Sequence, residues 1–153
     1  MRLVRTDSTN KDFVSLVEKL DAYLTVVDGD EHDFYNQYNS IDDLKQVVVA
    51  YESETPVGCG AIKQFEEAAM EVKRMYVEPD HREKGIAGQI LSELEAWASE
   101  LGFESCVLET GKRQIEAVGF YKKSGYEVIP NYGQYKGVDN SLCFKKRLNT
   151  DPE

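Results

Sequence analysis

The sequence predicts an α/β sandwich with a mixed sheet, and two observations carry the prediction. Three apolar stretches at residues 47–51, 57–65 and 70–77, separated by short polar turns, read as an antiparallel meander. Beyond Pro79 the period changes. Helix and strand patterns then alternate through residues 86–101, 105–109, 114–123, 126–129 and 141–145, the order expected when helices cover the faces of a sheet.

Taken in order, residues 3–5 form a short candidate strand. Thr9 and Asp12 resemble a capping box that opens a helix with Phe13, Leu16, Val17, Leu20 and Leu24 on one face, ending near Asp28-Gly29. A second short helix or turn falls at residues 31–39, and residues 41–44 lead into the run Val47-Val48-Val49-Ala50-Tyr51. Ser53-Glu54-Thr55-Pro56 supplies the first turn of the meander. The long helix is marked by Ile86, Ile90, Leu91, Leu94, Trp97, Ala98 and Leu101, and Gly102 stops it. Gly125 closes the next helix, and two strands finish the fold. No repeat or linker interrupts the chain, so residues 1–153 read as one domain with a frayed tail at 149–153.

A chain of 153 residues with 41% hydrophobic content fills one ordinary core. Its formal net charge of -10 and pI near 4.7 argue against gripping nucleic-acid backbones, which takes clustered Lys and Arg. They suit a cationic partner. Cys59, Cys106 and Cys143 lack CxxC spacing and the two His residues are far apart, so neither a disulfide framework nor a metal site is expected. Each Cys reads as a small buried hydrophobe in a strand. The first residues lack a signal-peptide core, and no run reaches the roughly 18 apolar residues of a membrane span. The expected setting is the reducing cytoplasm, with no membrane partner.

The strand ending at Val77 runs through His81-Arg82-Glu83-Lys84-Gly85-Ile86-Ala87-Gly88 into the long helix. A helix start presents unpaired N–H groups at a positive dipole end, which suits phosphate. Gly85 and Gly88 let the main chain approach an oxyanion, and His81, Arg82 and Lys84 add local positive charge. Taken alone, a basic, glycine-containing turn before a helix is more often just a solvated helix entry. Neither GxxxxGK[ST] nor GxGxxG occurs, which sets aside the Walker and dinucleotide phosphate motifs.

The segment Arg82-Glu83-Lys84-Gly85-Ile86-Ala87 is similar to the cofactor-binding motif of the GNAT superfamily of N-acyltransferases, (Gln or Arg)-x-x-Gly-x-(Gly or Ala). Val72-Lys73-Arg74-Met75-Tyr76-Val77-Glu78-Pro79 resembles that family's fourth strand. A second signature, Ala117-Val118-Gly119-Phe120-Tyr121-Lys122-Lys123-Ser124-Gly125-Tyr126, follows at the expected distance. The resemblance covers residues 57–126. It departs at Gln114, where many relatives carry Asn, and at Gly119, where a larger apolar residue is usual. It implies a GNAT-like three-layer sandwich, a mixed and mostly antiparallel sheet flanked by helices. It also implies acetyl-CoA as co-substrate, with its pyrophosphate over Arg82, Glu83, Lys84, Gly85, Ile86, Ala87 and Gly88. The pantetheine arm would run along the backbone of Met75, Tyr76 and Val77, with Gln114 and Tyr121 as further contacts.

The implied reaction is attack of an amine on a thioester, which needs a neutral nucleophile, a stabilised oxyanion and a proton for the leaving thiolate. An alkyl ammonium at pH 7 costs about 4.6 kcal/mol to deprotonate, so a base or a water chain is needed. The resemblance assigns Tyr121 as general acid, against the plainer reading of an aromatic side chain packing a helix onto the sheet. Glu71 and Glu109 are the candidate bases, and each also reads as a structural carboxylate. Asp28-Gly29-Asp30-Glu31-His32-Asp33-Phe34-Tyr35 and Asn131-Tyr132-Gly133-Gln134-Tyr135 are candidate walls of an acceptor pocket. The expected partner is a small primary amine, and a homodimer is compatible with the resemblance. Three function classes stay open: a small-molecule N-acetyltransferase, a protein lysine or N-terminal acetyltransferase, and a non-catalytic acyl-CoA binding module.

Overall fold

The computed structural model describes residues 1–28 and 44–148. Strand β1 (Arg2–Thr6) leads to helix α1 (Lys11–Asp28), then strands β2 (Gln46–Glu52), β3 (Thr55–Glu66) and β4 (Ala69–Val77). A 3-10 turn at Pro79–His81 precedes α2 (Ile86–Glu100), followed by β5 (Ser105–Gly111), α3 (Ile115–Lys123), β6 (Glu127–Ile129), a 3-10 turn at Gly133–Tyr135 and β7 (Ser141–Arg147). The strands form one 7-stranded sheet in the order β1-β2-β3-β4-β5-β7-β6. Neighbours are antiparallel except β4 and β5, which are parallel.

Helices cover both faces, and the unbroken apolar run of β2 is explained by that burial. Val47, Val49 and Tyr51 pack with Phe13, Leu16, Val17 and Leu20 of α1. Val48 and Ala50, pointing the other way, join Ile86, Ile90, Leu91, Leu94 and Ala98 of α2. The three layers expected from the sequence are therefore present. Residues 29–43, including the acidic and aromatic stretch considered for the acceptor side, lie outside the described residues, as does the tail.

The start of α1 differs from the expected capping box. The Thr9 amide and hydroxyl both donate to Asp7 Oδ1, at 2.9 and 2.6 Å. Asn10 Oδ1 accepts from the Phe13 amide at 3.0 Å and is the cap. Asp12 instead accepts the Tyr51 hydroxyl at 2.6 Å. The end of α2 follows the expected glycine stop: Gly102 has φ 93° and the Phe103 amide reaches back to the Ala98 carbonyl at 3.0 Å.

Two irregularities position the site. The β3–β4 register pairs Cys59 with Tyr76 and Ala61 with Lys73, so Gly60 alone faces both Arg74 and Met75. This is a bulge, with Arg74 at φ 60°. A side chain at Gly60 has no room, since a Cβ there would sit 2.5 Å from Met75 Sδ and 2.9 Å from Leu94 Cδ1. The second irregularity is that β4 and β5 pair only from Ala69↔Ser105 to Glu71↔Val107, although both strands continue. Past that point they splay, leaving a wedge with unpaired strand edges on its two sides.

Candidate active site

The turn at the end of β4 is built around amides without backbone partners. The first helical hydrogen bond of α2 runs from the Gln89 amide to the Gly85 carbonyl, at 3.1 Å. The amides of residues 83–88 therefore meet no backbone carbonyl among the described residues. Glu83 and Gly85 have φ of 65° and 81°, and Lys84 between them does not share that sign. Such alternation makes a concave nest of N–H groups. No acidic residue occupies the first turn of α2 to neutralise its positive end. Space is open around the Cβ positions of both Gly85 and Gly88.

Arg82 serves this turn from behind. Its Nε donates to the Val77 carbonyl at 2.8 Å, and its guanidinium lies 5.7 and 5.8 Å from the Tyr76 and Tyr23 rings. The Tyr76 side chain belongs to the α1 face, donates to Glu78 Oε1 at 3.0 Å, and is held protonated by burial up to a pKa of about 12. Glu83 and Lys84 are exposed, Ile86 is buried in the core, and Ala87 is half-buried. An anion bound here would meet main chain more than side chains.

A cavity fills the wedge. Glu71, Lys73, Arg74 and Met75 of β4 line it, with Glu109 of β5, Gln114 at the start of α3, and Tyr121 of α3. Tyr135 closes it from the segment before β7, and Leu20 and Leu24 from α1. The proposed acid and both proposed bases thus share one cavity, and β4 joins that cavity to the turn through Met75, Tyr76 and Val77.

Tyr121 is 7% exposed, and its ring packs among Phe120, Tyr126 and Phe144 at centroid distances of 5.1, 5.9 and 6.1 Å. Its hydroxyl makes no hydrogen bond among the described residues. Burial raises its pKa well above the ordinary phenol value, so it is protonated at neutral pH. By contrast, Tyr126 donates to Glu95 Oε2 at 2.9 Å and Tyr132 to Glu71 Oε2 at 2.7 Å. Glu71 Oε1 lies 3.5 Å from Lys73 Nζ, which completes a small buried network. Burial lowers the Lys73 pKa, and Glu71 beside it partly restores the charged form. The three cysteines are buried, and desolvation pushes Cys59 and Cys106 to about 12 and Cys143 to about 11, so none is a thiolate at neutral pH.

The adjacent cations Lys73 and Arg74 were not singled out by the sequence reading. Two consecutive charges inside an otherwise buried strand, opposite Gly58-Cys59-Gly60, were the available signal of a bulge turning both inward.

Comparison with known proteins places these features in context. Residues 13–126 match the model of the Acetyltransferase (GNAT) family. The chain is 35% identical over 143 residues to the IAA acetyltransferase of Azospirillum brasilense, covering 88% of this chain and 90% of that protein. A Klebsiella pneumoniae structure assigned as an acyl-CoA N-acyltransferase superposes with a TM-score of 0.81 at 26% identity, covering 97% of each chain. A GNAT acetyltransferase from Elizabethkingia anophelis with acetyl-CoA bound shares the fold, with a TM-score of 0.70 at 16% identity over 96% of this chain and 99% of that one.

Proposed function

The chain belongs to the Acetyltransferase (GNAT) family, and from that premise we propose that it acetylates the primary amine of a small molecule by direct attack within a ternary complex. It is an acetyl-CoA-dependent N-acetyltransferase, and acetyl-CoA is its co-substrate. The observation that carries the finer reading is the wedge between β4 and β5, with a Tyr121 hydroxyl inside it that has no partner among the described residues, and the amide nest at the end of β4. The relative named as an IAA acetyltransferase supports a small acceptor.

Bound acetyl-CoA supplies the acyl group as a thioester, whose C–S bond breaks as the new C–N bond forms. The amides of Glu83, Lys84, Gly85, Ile86, Ala87 and Gly88 hold the pyrophosphate, with Arg82 anchoring the turn. The free edge of β4 past Glu71, through Met75, Tyr76 and Val77, pairs with the extended amide-bearing arm as an added strand would. Gln114 closes over the arm from the start of α3. The Tyr121 hydroxyl gives its proton to the departing thiolate, and Glu109 or Glu71 takes the proton lost by the attacking amine. Glu71 is held on both oxygens, whereas Glu109 is half-buried at the cavity wall with its Oε2 inside.

The test is acetyl-CoA-dependent thiol release with amino acids, polyamines, aminoglycosides and peptides, run across pH for the parent chain, Glu71→Gln and Glu109→Gln. Transfer to small amines is expected, with the lower inflection of kcat/KM lost in the variant that removes the base. Transfer to peptides alone, or CoA binding with no transfer to any amine, rules the small-molecule reading out.

A further inference from the structure

The β4 wall of the cavity has a charge pattern at odds with the net charge of -10. Met70 and Val72 face the α2 side, so Glu71 and Lys73 face the α1 side. The bulge then turns Arg74 to that same side, where its Nη1 donates to Asp21 Oδ1 of α1 at 2.8 Å, and Met75 returns to the α2 core. Two cationic side chains, each only 9% exposed, therefore line the cavity together. Burying cations is costly unless anions or acceptors meet them.

Of the carboxylates near this wall, Glu71 and Asp21 are already engaged, and Glu109 faces the cavity from β5 with a buried Oε2. Glu71 is shared between Lys73 and Tyr132. Asp21, whose side chain is 37% exposed, accepts from Nη1 of Arg74. Nε of Arg74 is buried and has no hydrogen-bond partner among the described residues. In a guanidinium the Nε–H and the neighbouring Nη2–H point along one edge, spaced to meet both oxygens of a carboxylate. Asp21 sits on Nη1, and no described residue takes the Nε position. A polyamine or aminoglycoside would bring more positive charge against Lys73 and Arg74. An acceptor with a carboxylate beside its amine would neutralise them.

We propose that the acceptor is an amino-acid-like zwitterion whose carboxylate is held by the Nε edge of Arg74, with Lys73 beside it, while its amine lies toward Tyr121. This rests on the acetyl-transfer reading above and narrows it to a substrate class. It also separates the local wall from the overall acidity, which by itself favours cationic acceptors.

The experiment measures thiol release from acetyl-CoA by the full chain with L-amino acids, each beside its carboxamide and its decarboxylated amine. The amino acid of a matched set is expected to exceed both partners in kcat/KM by at least about tenfold. Arg74→Gln should cost that amino acid about 10-fold to 100-fold, while the carboxamide changes by no more than about twofold and CoA affinity in calorimetry is unaltered. Since Arg74→Gln also removes the pair with Asp21, Asp21→Asn is the control, and it should retain the preference for the carboxylate. Preference for the carboxamide or the decarboxylated amine overturns the inference and leaves the acetyltransferase reading standing. So does an equal loss on acid and amide in Arg74→Gln, or transfer confined to amines without a carboxylate. Failure to bind CoA, with no thiol released by any amine, overturns both.

Discussion

Among the cavity tyrosines, Tyr121 differs from Tyr132 in what its hydroxyl does for the fold. Tyr132 donates to Glu71, so removing its oxygen leaves a buried carboxylate short of a donor, which is costly. The Tyr121 hydroxyl has no such duty among the described residues, and the ring contacts with Phe120, Tyr126 and Phe144 survive its loss. Tyr121→Phe should therefore leave the thermal midpoint close to the parent value. Its effect should fall on turnover. A general acid contributes about 10²-fold or more, and the low end applies here because a thiolate, with a pKa near 8.5 for a free thiol, is already a fair leaving group. A kcat lowered by about 10²-fold with unchanged CoA affinity is expected from steady-state kinetics and calorimetry. Ordinary turnover in this variant would return Tyr121 to a packing role.

The amide nest is a property of an element junction, and two glycines there separate the fold from the proposed function. Gly85 sits at φ 81° and caps α2, so any side chain strains it. Gly88 lies inside the first turn of α2 with nothing within 4 Å of its Cβ position. Gly88→Ala should stabilise the helix by about 0.5–1 kcal/mol, because it reduces backbone freedom and meets no atom of the described residues. The same methyl would stand between the amides and a phosphate. Gly88→Ala is expected to melt higher without ligand yet bind CoA at least about tenfold more weakly by calorimetry; equal affinity would move the pyrophosphate elsewhere. This junction was legible in the sequence because its signals are local: a change of period at Pro79, glycines at fixed offsets, and a helix face that repeats to Leu101. The α1 cap was misplaced by one residue, since Asp7 captures Thr9 and hands the role to Asn10. The splay of β4 from β5 was not legible, because it depends on register between strands separated by all of α2. Nor was the shared facing of Lys73 and Arg74, since alternation along a strand assigns adjacent residues to opposite faces and only a bulge overrides it.

Over the whole molecule, the N-terminal elements are tied to the site half by ion pairs laid over the apolar core. Arg5 of the edge strand β1 clasps Glu93 at 2.7 Å and Glu100 at 2.7 and 2.9 Å on α2, with its guanidinium 4.8 Å from the Trp97 ring. Lys19 of α1 pairs with Glu78 just past β4. These contacts hold carboxylates below their ordinary range: Glu100 chiefly through its hydrogen bonds from Arg5, and Glu78 because hydrogen bonds from Lys19 and Tyr76 outweigh the burial that would raise it. A folded-state pKa below the unfolded value of 4.5 means stability that is present above that pH and is lost as pH falls through the folded value. Urea midpoints should accordingly stay level from about pH 7 to about pH 5 and decline below about 4.5. Arg5→Met, which keeps an apolar stem against Trp97, should lower the midpoint at pH 7 by roughly a few tenths molar, a small step because exposed pairs are screened. That deficit should narrow as the pH falls through the folded-state pKa of Glu100, where this partner of Arg5 loses its charge. A deficit of the same size at pH 3 and pH 7 would mean that Arg5 secures β1 by packing on Trp97 and that the ion pairs contribute nothing measurable.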